Sequence, residues 1–329
     1  MMKLFLAVLL ALAMAVPATA ATPAHVIFDT DMGNDVDDAL ALAMLHAFAS
    51  RGEVKLLAVT VSKDNPWAAE YVRMVDEYYG RGTIPVGIVH DGKTQDDGLY
   101  VKQICELHHR HPNQAAVADA VQLLRKTLAG EQDGAVTLIQ VGFSTNLARL
   151  IESKPDRYSG LNGMDLVKKK VRLLTVMAGN FAENKPEYNV MTDVPAAQKL
   201  FAGWPTDIYF SGFEVGLAIL YPASSIEHDF PAGNPVAEAY GVYAKMPYDR
   251  PTWDLTTLLY DLRPDRGYFD VSPPGDVKVA QDGATRFQPS AQGKRHVLRV
   301  NPVQAARIQD AFVWLASQPK DLSQKTRSN

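Results

Sequence analysis

The sequence has almost no cysteine, and it lacks an excess of positive charge. Cys105 is the only cysteine in 329 residues, so no disulfide can form within the chain and stability must come from a hydrophobic core. The formal net charge is −4, which argues against nucleic-acid binding because nucleic-acid-binding surfaces are usually basic. Internal repeats, low-complexity segments and a convincing interdomain linker are also lacking. The composition, 47% hydrophobic and 21% charged, is that of a globular protein.

Long apolar runs are absent except at the N-terminus. Residues 1–20 carry one Lys, an apolar stretch interrupted by a proline, and then Ala18-Thr19-Ala20. This layout predicts a secretory signal cleaved after Ala20, because the apolar run is too short for a membrane anchor. Cleavage would lower the formal net charge to about −5, since Lys3 is lost. We therefore predict an exported protein, periplasmic or secreted, without membrane association after cleavage, and a single domain over residues 21–329.

Apolar segments alternate with segments of helical spacing along the chain. This alternation predicts an α/β fold with a mostly parallel central sheet flanked by helices. Residues 90–113 form a polar stretch that contains histidines, and residues 268–300 predict a small irregular β elaboration before the last helix. The predicted strands are 56–62, 84–89, 135–141, 171–177 and 207–210, and the predicted helices are 66–79, 114–129 and 302–316.

The densest chemical signal is the stretch 26–43, VIFDTDMGNDVDDALALA. Because ligands of open α/β sheets bind at the carboxyl ends of strands, acids between a strand and a helix are expected at the mouth of a crevice. One or two acids there serve as helix caps, but five like charges resist ionising together unless a cation lies among them. The pattern therefore predicts a hard divalent cation, Ca²⁺ or Mg²⁺. The five carboxylates within ten residues are Asp29, Asp31, Asp35, Asp37 and Asp38.

This stretch resembles the N-terminal signature of the inosine-uridine preferring nucleoside hydrolase family, DTDxGxDD followed by a small residue and an apolar helix. Two residues are inserted here, so the final acid pair, Asp37 and Asp38, is matched by its place before Ala39. Asp31 and Asp35 are then both candidates for the family's base position, and we predict Asp31. The resemblance implies a nucleoside hydrolase fold, which is Rossmann-like, and a Ca²⁺ cofactor in preference to Mg²⁺.

Two later turns also resemble family segments. The family has an Asn or Asp facing the nucleoside after the second strand, which matches Asp64 or Asn65 here. A helix cap at Asn65, followed by proline, is the alternative. The turn GFSTN at 142–146 is similar to the family's G-P-L-T-N turn, whose preceding backbone carbonyl binds the metal. The resemblance thus implies the Val141 carbonyl oxygen as a ligand, since calcium commonly takes main-chain oxygens.

The segment 177–190 resembles the family stretch whose polar side chains hold the ribose hydroxyls. Tyr188 replaces the usual Phe, and the residues on either side, Glu187 and Asn189, carry over as sugar contacts. Asn180 is a third predicted contact, although spacing does not distinguish it from Asn184. A solvated loop is the alternative interpretation. We favour the sugar site because hydroxyl groups need paired donors and acceptors.

Near residue 253 the chain departs from the common family pattern. Most members have His-Asp there, whereas this chain has Trp253-Asp254. An indole cannot serve as a general acid near neutral pH. Trp253 resembles the Trp of the purine-preferring branch, which stacks on the base, although an aromatic at a helix start is also a common packing anchor. A substitute acid from the histidine-bearing loop 105–111 is the alternative route for the leaving base.

The resemblance assigns roles to these residues together. Asp31, Asp38, Asp254 and the Val141 carbonyl would hold the metal, and Asp31 would act as general base towards water. Asp37 would join the sugar contacts. The predicted reaction is hydrolysis of the N-glycosidic bond of a small ribonucleoside, preferably a purine nucleoside, through an oxocarbenium-like state. Family members are often dimers or tetramers, so a homodimer or homotetramer is expected.

Two functions from other classes remain as alternatives. A haloacid-dehalogenase-like phosphatase also has an apolar strand that ends in D-x-D, with Mg²⁺ and an aspartyl nucleophile. The later acidic pair and Lys of that family are not found in a convincing context. A non-catalytic periplasmic protein that binds nucleosides or calcium is suggested by the missing His. Assays of phosphate release, base release and ligand binding distinguish the three.

Overall fold

A computed structural model describes residues 22–113 and 117–320. The predicted signal, residues 1–20, lies outside these ranges. The strands are β1 (Ala24–Thr30), β2 (Val54–Lys63), β3 (Val86–Lys93), β4 (Ala118–Asp119), β5 (Val136–Gln140), β6 (Val171–Met177), β7 (Asp207–Ser211), β8 (Leu220–Tyr221), β9 (Arg250–Pro251), β10 (Asp270–Val271), β11 (Gly275–Val279), β12 (Thr285–Pro289) and β13 (Arg295–Arg299). The helices are α1 (Asp37–Ser50), α2 (Pro66–Tyr78), α3 (Val101–Leu107), α4 (Ala120–Gly130), α5 (Thr145–Glu152), α6 (Gly163–Lys170), α7 (Tyr188–Thr192), α8 (Val194–Gly203), α9 (Phe213–Leu217), α10 (Ala223–His228), α11 (Pro235–Tyr243), α12 (Asp254–Leu262) and α13 (Pro302–Ala316).

Eleven strands of the described residues form one mixed sheet, in which β1 lies between β2 and β5. The parallel part runs in the order β7-β6-β5-β1-β2-β3-β4. The predicted α/β fold with a mostly parallel sheet is therefore confirmed. The C-terminal segment 268–300 extends this sheet, because β13 pairs in parallel with β7 while β10, β11 and β12 add antiparallel pairs.

The hydrophobic core has two parts, one on each face of the sheet. Alternate residues of a strand face opposite sides, and β1 follows this rule. Val26 and Phe28 belong to the cluster that packs on α1 and α2, whereas Ile27 belongs to the cluster that packs on α4, α5 and α8. β1 is thus buried on both faces, as expected for the centre of a parallel sheet. This burial fixes where its C-terminal end, with the acidic stretch, must lie.

Several predicted bounds match the structure closely and others do not. β6 and α13 have the predicted bounds, while α4 begins at Ala120 instead of residue 114. Residues 114–116 lie outside the described ranges. The polar stretch 90–113 contains α3, which was not predicted; its buried side chains, Val101, Ile104 and Cys105, are too few to give a clear helical period. Within the described parts of the chain, no helix is both long and apolar enough to cross a membrane.

Candidate active site

A cavity of about 520 Å³ opens at the carboxyl ends of the parallel strands. This is the place where ligands bind in open α/β sheets, and the volume lies in the range of small-molecule sites. We call its buried carboxylates the acidic floor, which consists of Asp31, Asp37, Asp38, Glu187 and Asp254. We call its more exposed apolar side chains the rim, which consists of Leu99, Tyr188, Phe213 and Trp253.

Asp31 and Asp38 are positioned by β1 and by the start of α1. Asp31 directly follows the last residue of β1, and the Asn34 amide donates to its Oδ2 at 2.8 Å. The Thr30 hydroxyl donates to Asp38 Oδ1. These contacts hold both carboxylates at the base of the cavity, and both side chains are buried.

Asp37 joins the beginning of α1 to the beginning of α12. Its Oδ2 accepts hydrogen bonds from the backbone N–H groups of Trp253 at 2.7 Å and Asp254 at 3.0 Å. Free N–H groups at a helix N-terminus favour a carboxylate, so this contact explains how residues more than 200 positions apart meet. Each of Asp37, Asp38 and Asp254 offers a ligand atom, and these atoms all lie within 4.8 Å of one another.

Burial raises the pKa of every floor carboxyl group. It raises the pKa of Asp31 to about 6, of Glu187 to about 7 and of Asp37 to about 8. The pKa values of Asp38 and Asp254 are also well above the usual range, because burial is reinforced by the neighbouring carboxylates. Among the described residues that line the cavity there is no Lys, Arg or His. A floor of this kind is compatible with a bound cation, which would allow the acids to ionise together.

The donor set suits a hard divalent cation, because it consists of oxygen atoms. Asp38 and Asp254 belong to the compact cluster, Asp31 lies beside them in the cavity lining, and Val141 also lines the cavity. The Val141 carbonyl oxygen accepts a hydrogen bond from Asn189 Nδ2 at 2.7 Å. A carbonyl oxygen has two lone pairs, so this bond leaves one direction for a cation.

The three predicted sugar contacts all lie in the cavity lining. Glu187 caps α7 and accepts backbone N–H groups, including that of Gly179 at 3.0 Å. The Asn189 amide donates to the carbonyl oxygens that end β5 and β6. Asn180 lines the cavity, whereas Asn184, which spacing did not distinguish from it, is exposed on a turn. The polar side chains are thus held by the backbone before any ligand binds.

Trp253 is half-buried in the rim and packed against its neighbours. Its ring stacks on Phe213 with a centroid separation of 5.6 Å and an interplanar angle of 24°, and its Nε1 donates to the Phe213 carbonyl at 2.9 Å. A Cβ built on Gly216 would lie 2.3 Å from the indole, so only glycine fits there. The Arg250 guanidinium lies 5.3 Å from the indole centroid. The packing role considered for Trp253 is present, and part of the ring still faces the cavity.

Asp35, the second candidate for the base position, is held by a different group. The Arg250 guanidinium donates to both of its carboxylate oxygens, with Nε at 3.1 Å from Oδ1. Asp35 is also more exposed than Asp31, with about a quarter of its side chain accessible. Asp31 has no such ion pair among the described contacts. Asp35 is thus paired with a guanidinium group, whereas Asp31 accepts a hydrogen bond from a neutral amide.

Asp64 and Asn65 do not line the cavity. The Asn65 side chain accepts the Trp67 backbone N–H and caps α2, as the alternative interpretation expected. Its amide also donates to the Gln95 carbonyl, and Asp64 accepts the Gly92 N–H. Both side chains therefore bind the end of β3 and the loop 94–99 that follows it, part of which lines the cavity. The physical reason that they do not face the cavity is that these contacts and the cap of α2 already occupy their polar atoms.

The histidine-bearing loop lies elsewhere, since none of residues 105–111 is among the cavity-lining residues. His108 pairs with Glu238, and the His111 ring lies 6.2 Å from the Trp67 ring.

Three polar residues near the floor were not predicted, namely Asn34, Lys63 and Asp96. Asn34 lies within the acidic stretch itself, so its position was a usable signal, whereas nothing local marks Asp96 as a cavity residue.

Comparison with known proteins agrees with this geometry. The family model for inosine-uridine preferring nucleoside hydrolase matches residues 26–310. A pyrimidine-specific ribonucleoside hydrolase RihA from Enterobacter sp. is 29% identical over 231 residues, covering 64% of this chain and 67% of the relative. Its counterpart from Klebsiella pneumoniae subsp. pneumoniae is 27% identical over 270 residues, covering 73% and 80%.

Solved structures of nucleoside hydrolases have the same fold. A plant nucleoside hydrolase aligns with a TM-score of 0.69 at 20% identity, covering 91% of this chain and 99% of that one. The purine-preferring ribonucleoside hydrolase from Gardnerella vaginalis aligns with a TM-score of 0.67 at 17% identity, with the same coverage. The phosphatase alternative is thereby set aside. The chain belongs to the inosine-uridine preferring nucleoside hydrolase family, and it is a hydrolase that acts on N-glycosyl compounds.

Proposed function

We propose that this chain is a Ca²⁺-dependent N-ribosyl hydrolase that cleaves purine ribonucleosides to free base and ribose. The observation that carries the proposal is the acidic floor, where carboxylates from β1, α1 and α12 converge with Glu187 at the base of a nucleoside-sized cavity. Such a floor can bind a hard cation and abstract a proton in one place. The family match supplies the reaction class.

The cation would be held by Asp31, Asp38, Asp254 and the Val141 carbonyl. A divalent ion bound there lowers the pKa of water and offsets the charge of the acids. Ca²⁺ is favoured over Mg²⁺ because the donors include a main-chain oxygen and several carboxylates around a cavity, which suits the larger ion's flexible coordination. This assignment explains why the chain tolerates so many buried acids without a cationic side chain in the described lining.

Asp31 is proposed as the general base. Its Oδ2 is oriented by the Asn34 amide, which leaves Oδ1 available to accept a proton from water. Asp35 is the poorer candidate because the Arg250 guanidinium occupies both of its oxygens. A general base of this kind contributes about 10²- to 10⁴-fold to a rate.

The sugar is proposed to lie between the cation and α7. Glu187, Asn189 and Asn180 line this part of the cavity, and Asp37, the first residue of α1, lines it as well. Their backbone contacts keep the side chains in place, so less ordering is needed when the ribose hydroxyls bind. Fixed geometry can lower the barrier by several kcal/mol, which is about the scale of intramolecular positioning effects.

The base is proposed to lie against the rim, where stacking on Trp253 assists departure of a purine. Aromatic side chains in the cavity lining, Tyr188 and Phe213 with Trp253, favour a large planar base. The similar RihA proteins are named as pyrimidine-specific, whereas the Gardnerella vaginalis enzyme is named as purine-preferring. A pyrimidine preference is therefore the second candidate, and it is favoured by the sequence similarity to RihA.

Export is proposed as well. It is supported by the composition of residues 1–20, which lie outside the described ranges. N-terminal sequencing of the protein purified from a cell envelope fraction should begin at Ala21. We also propose a homodimer or homotetramer, because members of the family often form them. The molecular mass of the purified protein in solution tests this.

The test of the proposed function is a substrate panel with the purified protein. Inosine, adenosine, guanosine, uridine, cytidine and a 5′-nucleotide are incubated separately, and free base, free ribose and phosphate are measured. We expect equal amounts of base and ribose, faster release from the purine nucleosides, and no phosphate from nucleotides. Faster cleavage of uridine and cytidine would select the pyrimidine candidate, and binding without any cleavage would contradict the proposed reaction.

A further inference from the structure

Lys63 is a buried lysine beside the acidic floor. It is the last residue of β2, and its side chain has no exposed surface. Its Nζ donates to Asn34 Oδ1 at 2.9 Å and to Asp96 Oδ1 at 3.0 Å. Burying an ammonium group is costly unless it is paired, so these two contacts account for its stability there. They also connect the lysine to two parts of the cavity.

The first contact fixes the orientation of the Asn34 amide. An ammonium group only donates hydrogen bonds, so the Asn34 oxygen must face Lys63. The amide nitrogen then faces Asp31 and donates to Oδ2 at 2.8 Å. A flipped amide would place two donors against each other at Lys63 and two oxygens against each other at Asp31. Lys63 therefore determines which way Asn34 presents itself to the proposed base.

The second contact holds the loop 94–99 against the cavity. Asp96 accepts the Gly98 N–H at 2.9 Å as well as the lysine. The Leu99 N–H donates to the Gly33 carbonyl at 3.0 Å, and Gly98 has a φ of +70°, where an added Cβ would lie 2.5 Å from the same oxygen. The loop places Asp96, Gly98 and Leu99 in the cavity lining. Leu99 and Gly98 of the loop thus both contact Gly33, which lies in the turn after β1.

We propose that Lys63 is a positioning residue for hydrolysis, acting on Asp31 through the Asn34 amide and on the cavity wall through Asp96. The proposal rests on the proposed function. The two contacts have separable consequences. The Asn34 branch orients a group that acts in the transition state, so its loss lowers kcat. The Asp96 branch shapes the wall against which substrate binds, so its loss raises KM.

The first experiment compares two lysines of the same strand. Lys63→Met removes the ammonium with little change in side-chain length, and Lys55→Met is the matched control because Lys55 is 58% exposed on β2, away from the cavity. Lys63→Met should lower kcat by about 10- to 100-fold, the scale of a small misplacement of a reacting group, and should raise KM. Lys55→Met should have the kinetic constants of the wild type. Equal constants for both variants would overturn the proposal.

The second experiment separates the branches. Asn34→Ala should lower kcat more than it changes KM, and Asp96→Asn should mainly raise KM. In the double variant Lys63→Met/Asn34→Ala, kcat should fall no further than in Asn34→Ala alone, because both changes remove the same contact. Multiplicative losses in kcat would show that the lysine does not act through Asn34, and would contradict the proposal.

Two additional measurements guard against a purely structural effect. Hydrogen exchange of the loop 94–99 should increase in Lys63→Met and in Asp96→Asn, but not in Asn34→Ala. If Lys63→Met does not fold, Lys63→Gln is measured in its place. Its amide retains a hydrogen-bond donor, so its kcat should lie between those of the wild type and Asn34→Ala. A kcat as low as that of Asn34→Ala would count against the proposal that Lys63 orients the Asn34 amide. A wild type that cleaves none of the panel contradicts the proposed function, whereas an active wild type with unaltered Lys63 variants contradicts this inference alone.

Discussion

The acidic floor and the rim of the same cavity are built in opposite ways. Floor side chains such as Asp38 and Asp254 are buried, and they are held by hydrogen bonds from Thr30 or tied to helix N-termini through Asp37. Rim side chains are more exposed, as in Leu99 at 59% and Tyr188 at 49%. The floor side chains are therefore fixed by their hydrogen bonds, whereas the exposed rim side chains, Leu99 and Tyr188, can change without disturbing the core. We infer that the floor determines the reaction and the rim determines which base is accepted.

The energetic difference between the two regions is also large. Each unit by which burial raises a carboxyl pKa corresponds to about 1.4 kcal/mol of disfavoured ionisation. Several floor acids share this cost, as the raised pKa values of Asp31, Asp37 and Glu187 show. The apolar rim side chains carry no such cost. Keeping several buried carboxyl groups together costs free energy, so we infer that the floor serves the function or that a bound cation offsets its charge.

The largest expected effect is that of Asp31→Asn in the floor. It removes the proposed base but keeps the side-chain size, so turnover should fall by about 10²- to 10⁴-fold on every nucleoside. Steady-state kinetics with inosine and uridine check this. The matched variant is Asp35→Asn, which breaks the Arg250 pair and should cost much less. An active Asp31→Asn with an inactive Asp35→Asn would place the base at Asp35.

A smaller effect is expected from Trp253→Ala in the rim. Stacking on an aromatic side chain is worth about 1–3 kcal/mol per base, which corresponds to a loss of about 10- to 100-fold on purine nucleosides. The rate with uridine should change less. The control is His109→Ala, since the loop 105–111 does not line the cavity. A dead His109→Ala beside an active Trp253→Ala would instead support an acid from that loop.

A separate effect, on stability instead of rate, is measured by melting the metal-free protein at several pH values. The pKa of Asp37 is raised from 3.8 to about 8 and that of Asp31 to about 6, so the folded chain retains protons that the unfolded chain releases. Stability from these groups is complete below pH about 4 and is lost as pH rises through 6 to 8. The metal-free protein should melt at a higher temperature at pH 5 than at pH 8.

Asp37→Asn is the control for this melting series, because it removes one of the groups with a raised pKa. Its melting temperature should fall less between pH 5 and pH 8 than that of the wild type. Each kcal/mol corresponds to roughly 2–4 °C in chains of about 150–250 residues and to less in this longer chain, and a difference of several kcal/mol is measurable by calorimetry. Equal pH slopes for the two proteins would show that Asp37 does not titrate as described.

Much of the floor was predictable because its residues are close together in sequence. Asp31 follows a mostly buried strand, and Asp37 and Asp38 begin a mostly buried helix, so the end of β1 places them at the crevice. Asp254 could be added only through the family resemblance, since its contact with the start of α1 joins residues 217 positions apart. The parallel sheet was predictable for the same reason, because each strand and helix has its own local pattern.

The remaining features depend on contacts between distant segments. α3 has only three buried side chains within a polar stretch, and the loop 94–99 is bound by Lys63 and Asn65, which lie about 30 residues earlier in the chain. Asp64 was one of two residues predicted to face the nucleoside, with a helix cap at Asn65 as the alternative, and in the structure Asp64 accepts a hydrogen bond from the Gln95 side chain of that loop. The pairing of β13 with β7 likewise joins segments about 90 residues apart. Local patterns do not encode such partners.

The central claim is that one cation-dependent floor cleaves the glycosidic bond whichever base the rim admits. The most direct test is to strip the purified protein with EDTA and to follow base release from inosine and uridine before and after adding excess Ca²⁺. Both activities should disappear together and return together, in the same ratio as in the untreated protein. Full activity on either nucleoside in the metal-stripped protein would contradict the account.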